Sequence, residues 1–167
     1  MNNLTSPEEQ VVELLISRGY RISCAESCTG GLLAATLINV PNASLVLSSS
    51  FITYSEEAKV RYAGVSWDTL HRHGVVSEEV AAEMAAGVAA EAGSTVGIGI
   101  TGIAGPGGGS PETPVGTVCF GCCIQGKTVT RTVCFGNPGR NEVRRRSVSY
   151  ALSLLREQLT ECPVFVE

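Results

Sequence analysis

The stretch VGTVCFGCCI-QG-KTVTRTVCF, residues 115–135, constrains this chain more than any other. Two runs rich in β-branched residues and cysteine are separated only by Gln125 and Gly126, which is the signature of a β-hairpin. The residues before it alternate differently. Ser6 is placed as an N-cap, Pro7 suits the first helical position and Glu9 completes a capping box, ahead of apolar residues at helical spacing and a terminating Gly19. Residues 20–25 then read as a strand, GGLLAATLINV as a buried helix stopped by Pro41, and ASLVLSSSFITYS as a second strand. Short helices follow over EEAKVRYAG and SWDTLHRHG, the latter capped by Ser66. A longer Ala-rich helix is capped by Ser77, and Glu78 and Glu79 in its first turn suit the helix dipole. STVGIGITG is a glycine-laced strand, IAGPGGGSPETP a loop, and residues 141–159 a final helix. Helix–strand alternation followed by a hairpin predicts an α/β fold: a three-layer α/β/α sandwich on a mixed, mainly parallel sheet, its earlier strands parallel and its hairpin antiparallel.

At 167 residues the length fits one domain spanning 1–167. With 44% hydrophobic and 17% charged residues the chain is of the globular class. A net charge of -4 argues against nucleic acid as a partner. No apolar run reaches the roughly 20 residues that cross a bilayer, so no membrane partner is expected. The start, MNNLTSPEEQ, lacks the pattern of a signal peptide, and the expected location is cytoplasmic. The seven cysteines are odd in number. Cys119 and Cys122 have zinc-like spacing, but on a strand residues three apart point to opposite faces. Cys24 and Cys28 read as packing residues, and no metal or other cofactor is expected.

Three turns rich in glycine or hydroxyls follow predicted strands, at residues 26–31 (ESCTGG), 101–109 and 136–140. Ligands of open α/β sheets gather at such strand ends. Ser27 and Thr29 offer hydroxyl donors, Gly30 and Gly31 let the backbone approach, and a helix N-terminus favours an anion. Arg140 sits at a helix start, against the dipole's preference, and is the natural charge partner for that anion. There is no G-x-x-x-x-G-K-[ST] and no G-x-G-x-x-G, so ATP and dinucleotide fingerprints are absent. The chain holds only two lysines, Lys59 and Lys127. A lysine desolvated in a cleft loses its proton and can activate a serine. Ser44, Ser48, Ser49, Ser50 and Ser55 are candidates near Lys59 in sequence, and spacing does not choose among them.

AESCTGG, FITYSEEAKVRYAGV, HGVVSEEVAAEMAAG, ITGIAGPGGGS, TPVGTV and CFGNPGRNEVRRRSVSYAL, in that order, resemble the C-terminal domain of CinA, the nicotinamide-nucleotide (NMN) amidases. The resemblance runs over residues 14–159. It implies the stand-alone form of that domain, without the N-terminal domain of two-domain relatives. It also implies hydrolysis of nicotinamide mononucleotide to nicotinic acid mononucleotide and ammonia, no metal or cofactor, and a homodimer or higher homo-oligomer. A Ser–Lys pair is the centre it implies, carried onto Ser44 and Lys59, with Tyr54 assisting; Asn42 stands where a glycine is common. Glu26, Ser27, Thr29, Gly30, Gly31, Thr101, Gly102 and Arg140 are then expected to bind the small-molecule nucleotide. Ser27 is the rival nucleophile, because a serine at a strand-to-helix turn is well placed to attack. A binding-only pyridine-nucleotide sensor is the competing reading.

Overall fold

The structure, a computed structural model, describes residues 5–161. Helix α1 spans Pro7–Arg18. Its capping box is complete: the Ser6 Oγ accepts from Glu9 N–H, and the Glu9 carboxylate accepts from Ser6 N–H at 2.7 Å. Gly19, at φ 64°, ends it in the left-handed region, as a helix C-terminus favours. Strand β1 (Ile22–Glu26) leads into α2 (Leu32–Ile38), and a short 3₁₀ turn (Ala43–Leu45) precedes β2 (Leu47–Ile52). The strand expected over ASLVLSSSFITYS is therefore shorter at both ends. Asn42 enters the 3₁₀ turn at φ 68°, the conformation that lets asparagine stand in for glycine. Helices α3 (Glu56–Ala63), α4 (Trp67–His73) and α5 (Glu78–Ala92) follow, capped by Ser55, Ser66 and Ser77. Then come β3 (Val96–Gly102), the hairpin β4 (Thr117–Ile124) and β5 (Lys127–Cys134), and the long α6 (Arg140–Glu161).

The sheet order is β2-β1-β3-β4-β5. β1 pairs parallel with β2 and β3; β4 pairs antiparallel with β3, and β5 antiparallel with β4. Four of the five strands thus run one way and β4 alone is reversed, which is the expected mixed, mainly parallel sheet. Helices cover both faces. One core joins β1, β3 and β4 to α1, α2 and α6 through Leu15, Ile22, Leu37, Ile98, Phe120 and Leu155. A smaller one joins the other face to α3, α4 and α5 through Ala25, Ala63, Leu70, Met84 and Val88. Cys122 lies in the first core, whereas the Cys119 thiol meets the Thr132 hydroxyl, so the pair faces apart as strand geometry requires. Six cysteines are free; Cys162 lies outside the described residues.

Two close approaches set the spacing of the α3–α5 layer. A methyl on Gly99 would lie 2.6 Å from the Ala81 carbonyl oxygen, so α5 rests directly on the sheet. A methyl on Gly87 would overlap the Ala63 carbonyl, so α3 rests on bare α5 backbone. These contacts carry α3 against the C-terminal ends of β1 and β2. Among the described residues, no helix is long and apolar enough to cross a membrane.

Candidate active site

The parallel register fixes where the site forms. Glu26 pairs with Ile52, and Thr53 N–H donates to Glu26 O at 2.8 Å, so the ends of β1 and β2 lie side by side. Ser27 is the next residue of β1, anchored by its own N–H to Ile100 O at 2.9 Å. Lys59 projects from α3 into this corner and is fully buried. Its Nζ donates to Thr53 O at 2.6 Å and to Ser27 Oγ at 3.2 Å. Burial disfavours the ammonium, and Lys59 falls from its ordinary value to about 8. Among the described residues no carboxylate is hydrogen-bonded to the amine, and the nearby Glu56 charge offsets only part of the effect of burial. A largely desolvated amine beside a nearly buried hydroxyl is the arrangement that turns a serine into a nucleophile.

Ser44 is not part of this corner, and the expected Ser44–Lys59 pairing is corrected. It is an exposed residue of the 3₁₀ turn that enters β2, lining a surface hollow with Ile38, Pro41 and Leu47. Lys59 lies beyond the opposite end of β2, whose six residues at roughly 3.3 Å each span about 20 Å. Ser55 is also excluded, because its hydroxyl caps α3 by accepting from Ala58 N–H. The serine that meets Lys59 is the one 32 residues away in sequence.

The ESCTGG turn is held by two side chains. Glu26 is fully buried and turns back onto α2: its carboxylate accepts from the N–H groups of Gly31, Leu33 and Ala34 at 3.1, 3.1 and 2.9 Å. Those three bonds make it the cap of α2, and the structure sets it beneath the turn rather than on the wall of the cleft that opens beside it. Gly30 and Gly31 take φ 57° and 92° to bring the chain round. From the other side Arg144 of α6 donates to Cys28 O and Thr29 O, both at 3.1 Å. Backbone donors in the turn can then be accounted for. Ser27 N–H goes to Ile100 O, Gly30 N–H to Ser27 O and Leu32 N–H to Thr29 O, and the Glu26 carboxylate takes three more. Directly after the serine, the Thr29 N–H has no acceptor among the described residues, and the Cys28 N–H meets only its own thiol.

A cleft of about 230 Å³ opens beside the turn, lined by Cys28, Tyr54, the 102–105 segment, Gly107, Gly108 and Arg140. Arg140 bridges its mouth, donating to Gly105 O and to the Tyr54 hydroxyl, both at 2.8 Å. Tyr54, 62% exposed, thus lies beside Arg140 rather than beside the Ser27–Lys59 pair. Gly102 lines the cleft, whereas Thr101 does not: its buried hydroxyl donates to Val75 O at 2.8 Å and fastens the loop before α5. The Thr29 hydroxyl is buried without a partner. Burial pushes the Cys28 thiol up to about 11, so it is an inert wall of the cleft at neutral pH. Sequence reasoning missed Thr53, Cys28, Gly105 and Arg144. Thr53 was within reach of it, since in-line pairing of the two predicted strands sets Thr53 beside Ser27; Arg144 carried no local signal. Among the described residues no cluster of three or more His, Cys, Asp or Glu side chains is placed to hold a metal.

Known proteins resemble this chain over most of its length. The family model of the CinA C-terminal domain matches residues 4–159. A CinA-like protein of Kosmotoga olearia is 49% identical over 154 residues, 92% of this chain and 37% of that protein, so the chain spans little more than a third of its length. The crystal structure of the competence damage-inducible protein A (ComA) from Klebsiella pneumoniae superposes with a TM-score of 0.90 at 39% identity, covering 97% of this chain and 100% of that one. The competence/damage inducible protein CihA of Agrobacterium tumefaciens gives 0.86 at 36% identity, covering 96% and 100%.

Proposed function

The chain belongs to the CinA C-terminal domain family, and we propose that it is an amidohydrolase acting through Ser27 and Lys59, with the carboxamide of nicotinamide mononucleotide as its substrate. The observation that carries the proposal is the 3.2 Å contact between a fully buried lysine amine and the Ser27 hydroxyl. Neutral Lys59 takes the Ser27 proton as the oxygen attacks the amide carbon. The carbonyl electron pair moves onto oxygen, and the N–H groups of Cys28 and Thr29 are the donors in place to stabilise that oxyanion. On collapse, the proton returns from Lys59 to the departing amine and ammonia leaves. Lys59 then deprotonates a water that attacks the acyl-serine, giving the free acid and regenerating the alcohol.

The choice of substrate draws on the family resemblance and on charge. The cleft presents the cationic Arg140 beside glycine backbone, and no carboxylate lines it. Only two of the guanidinium's five N–H donors are engaged, which leaves the others for a phosphate. At about 230 Å³ the cleft is smaller than most whole-ligand pockets, and it suits a pyridine carboxamide with the phosphate at the open mouth. Two measurements test the proposal together: ammonia release from nicotinamide mononucleotide, and calorimetric binding of the same compound. Release that disappears in Ser27→Ala is the expected result. Binding without release overturns the amidase reading and leaves a pyridine-nucleotide sensor in its place.

A further inference from the structure

Resting on that Ser27–Lys59 reading, we infer that Arg144 is a positioning residue for the reaction, setting the oxyanion-binding amides of the Ser27 turn without touching substrate. Arg144 is half-buried on α6, one turn after Arg140. Its two neighbours behave as surface residues: Arg145 and Arg146 both pair with Glu142 on the exposed side of the helix. Arg144 instead crosses to the turn, its Nε donating to Cys28 O and its Nη2 to Thr29 O, while Nη1 reaches Asn141 Oδ1 at 3.4 Å. Two consecutive carbonyls directly after the nucleophile are thereby drawn toward one guanidinium.

The consequence follows from the planarity of the peptide bond. In a trans peptide the carbonyl and the next residue's N–H point in opposite directions. Fixing Cys28 O on Arg144 turns the Thr29 N–H away from α6, and that N–H has no acceptor among the described residues. A positive charge bonded to the carbonyl also polarises the same peptide unit and strengthens its N–H as a donor. Glu26 fixes the far end of the turn through Gly31, Leu33 and Ala34, so removing Arg144 frees only the segment that carries the two amides. A lysine at 144 carries the charge but not the planar fork, and holds one carbonyl where arginine holds two.

The test compares Arg144→Lys and Arg144→Gln with the wild-type protein in four readouts: melting temperature, kcat and KM for nicotinamide mononucleotide, the pH profile, and the rate at which a fluorophosphonate labels Ser27. The expected result is a kcat lower by about 100-fold in Arg144→Gln, the scale for loss of one oxyanion donor, with KM within about threefold. Arg144→Lys falls between, labelling slows in parallel, and the apparent pKa of about 8 set by Lys59 stays in place. A purely structural arginine would lower the melting temperature and leave kcat of the folded fraction untouched, and that outcome overturns the inference. So does labelling of Ser27 at the wild-type rate in both variants. If Arg144→Gln does not fold, Arg144→Lys carries the comparison. A wild-type protein that neither releases ammonia nor labels at Ser27 sinks the Ser–Lys reading itself, and the role of Arg144 with it; wild-type turnover with unchanged variants sinks the role of Arg144 alone.

Discussion

The two ends of β2 carry serine turns of opposite character. At its start, Ser44 sits on an exposed 3₁₀ turn opened by Asn42 in the left-handed region, with a hydrophobic hollow as its only setting. At its far end, the Lys59 amine donates to Thr53 O and meets the Ser27 hydroxyl in a corner that buries the amine fully. Both serines occupy short turns beside a strand, and both are plausible nucleophiles on residue type. What separates them is the neighbour: a serine hydroxyl is unreactive at its own pKa, and only a base stripped of its proton changes that. Such a base exists only where an amine is buried, and among the described residues that place is the Lys59 corner.

The comparison can be broken most sharply by substitution at the buried end. Ser27→Ala and Lys59→Ala are each expected to lower kcat by on the order of 1,000-fold or more, and the double variant to lose little beyond either single one, because the two act as a unit. Steady-state ammonia release checks this; additive losses would show that they do not share a step. The next effect is on pH dependence. Protonated Lys59 cannot accept a proton, so kcat/KM should fall about tenfold per unit below its value of about 8, making the rate at pH 6 roughly 100-fold below the plateau. A stability counterpart follows from the same lowering. Unfolded Lys59 binds its proton up to its ordinary, higher pKa, so between about 8 and that value the unfolded state holds more protons and wild-type stability rises with pH. Lys59→Met removes this contribution, and its melting temperature relative to wild type should be most favourable below pH 8 and decline above it.

Smaller effects sharpen the contrast. Arg140→Ala is expected to raise KM about tenfold for the nucleotide and to change it little for the phosphate-free nucleoside. Equal losses on both would show that the guanidinium, which also bridges Tyr54 and Gly105, holds the cleft's shape and not a phosphate. Last, Ser44→Ala should leave kcat and KM within about twofold, as surface substitutions away from a site do. A large loss there would reverse the reading of the two turns.

How far the sequence disclosed these features depends on the range of the interactions involved. The caps at Ser6, Ser66 and Ser77 and the Gln125-Gly126 hairpin were legible because their chemistry is complete within a few residues. The layer order and strand directions followed from how those elements alternate. The serine that meets Lys59 was hard to choose because the contact spans 32 residues, and nearness along the chain favoured Ser44 over Ser27. Glu26 and Thr101 look like ligand-binding residues in one dimension. In three, each is committed to fastening backbone, to α2 in one case and to Val75 in the other. Arg144 lies 116 residues from the carbonyl it holds and reads, in sequence, as one of three surface arginines.

Gly87 gives this architecture a point of remote control. Because α3 is seated on α5 with no side chain between them, the depth at which Lys59 sits is set by the absence of a single methyl group far from the cleft. Any bulk at that position would press the helix outward, hydrate the amine and raise its proton affinity back toward the ordinary value of a lysine. Basicity here is a matter of clearance between two helices, at a point where one of them carries no side chain.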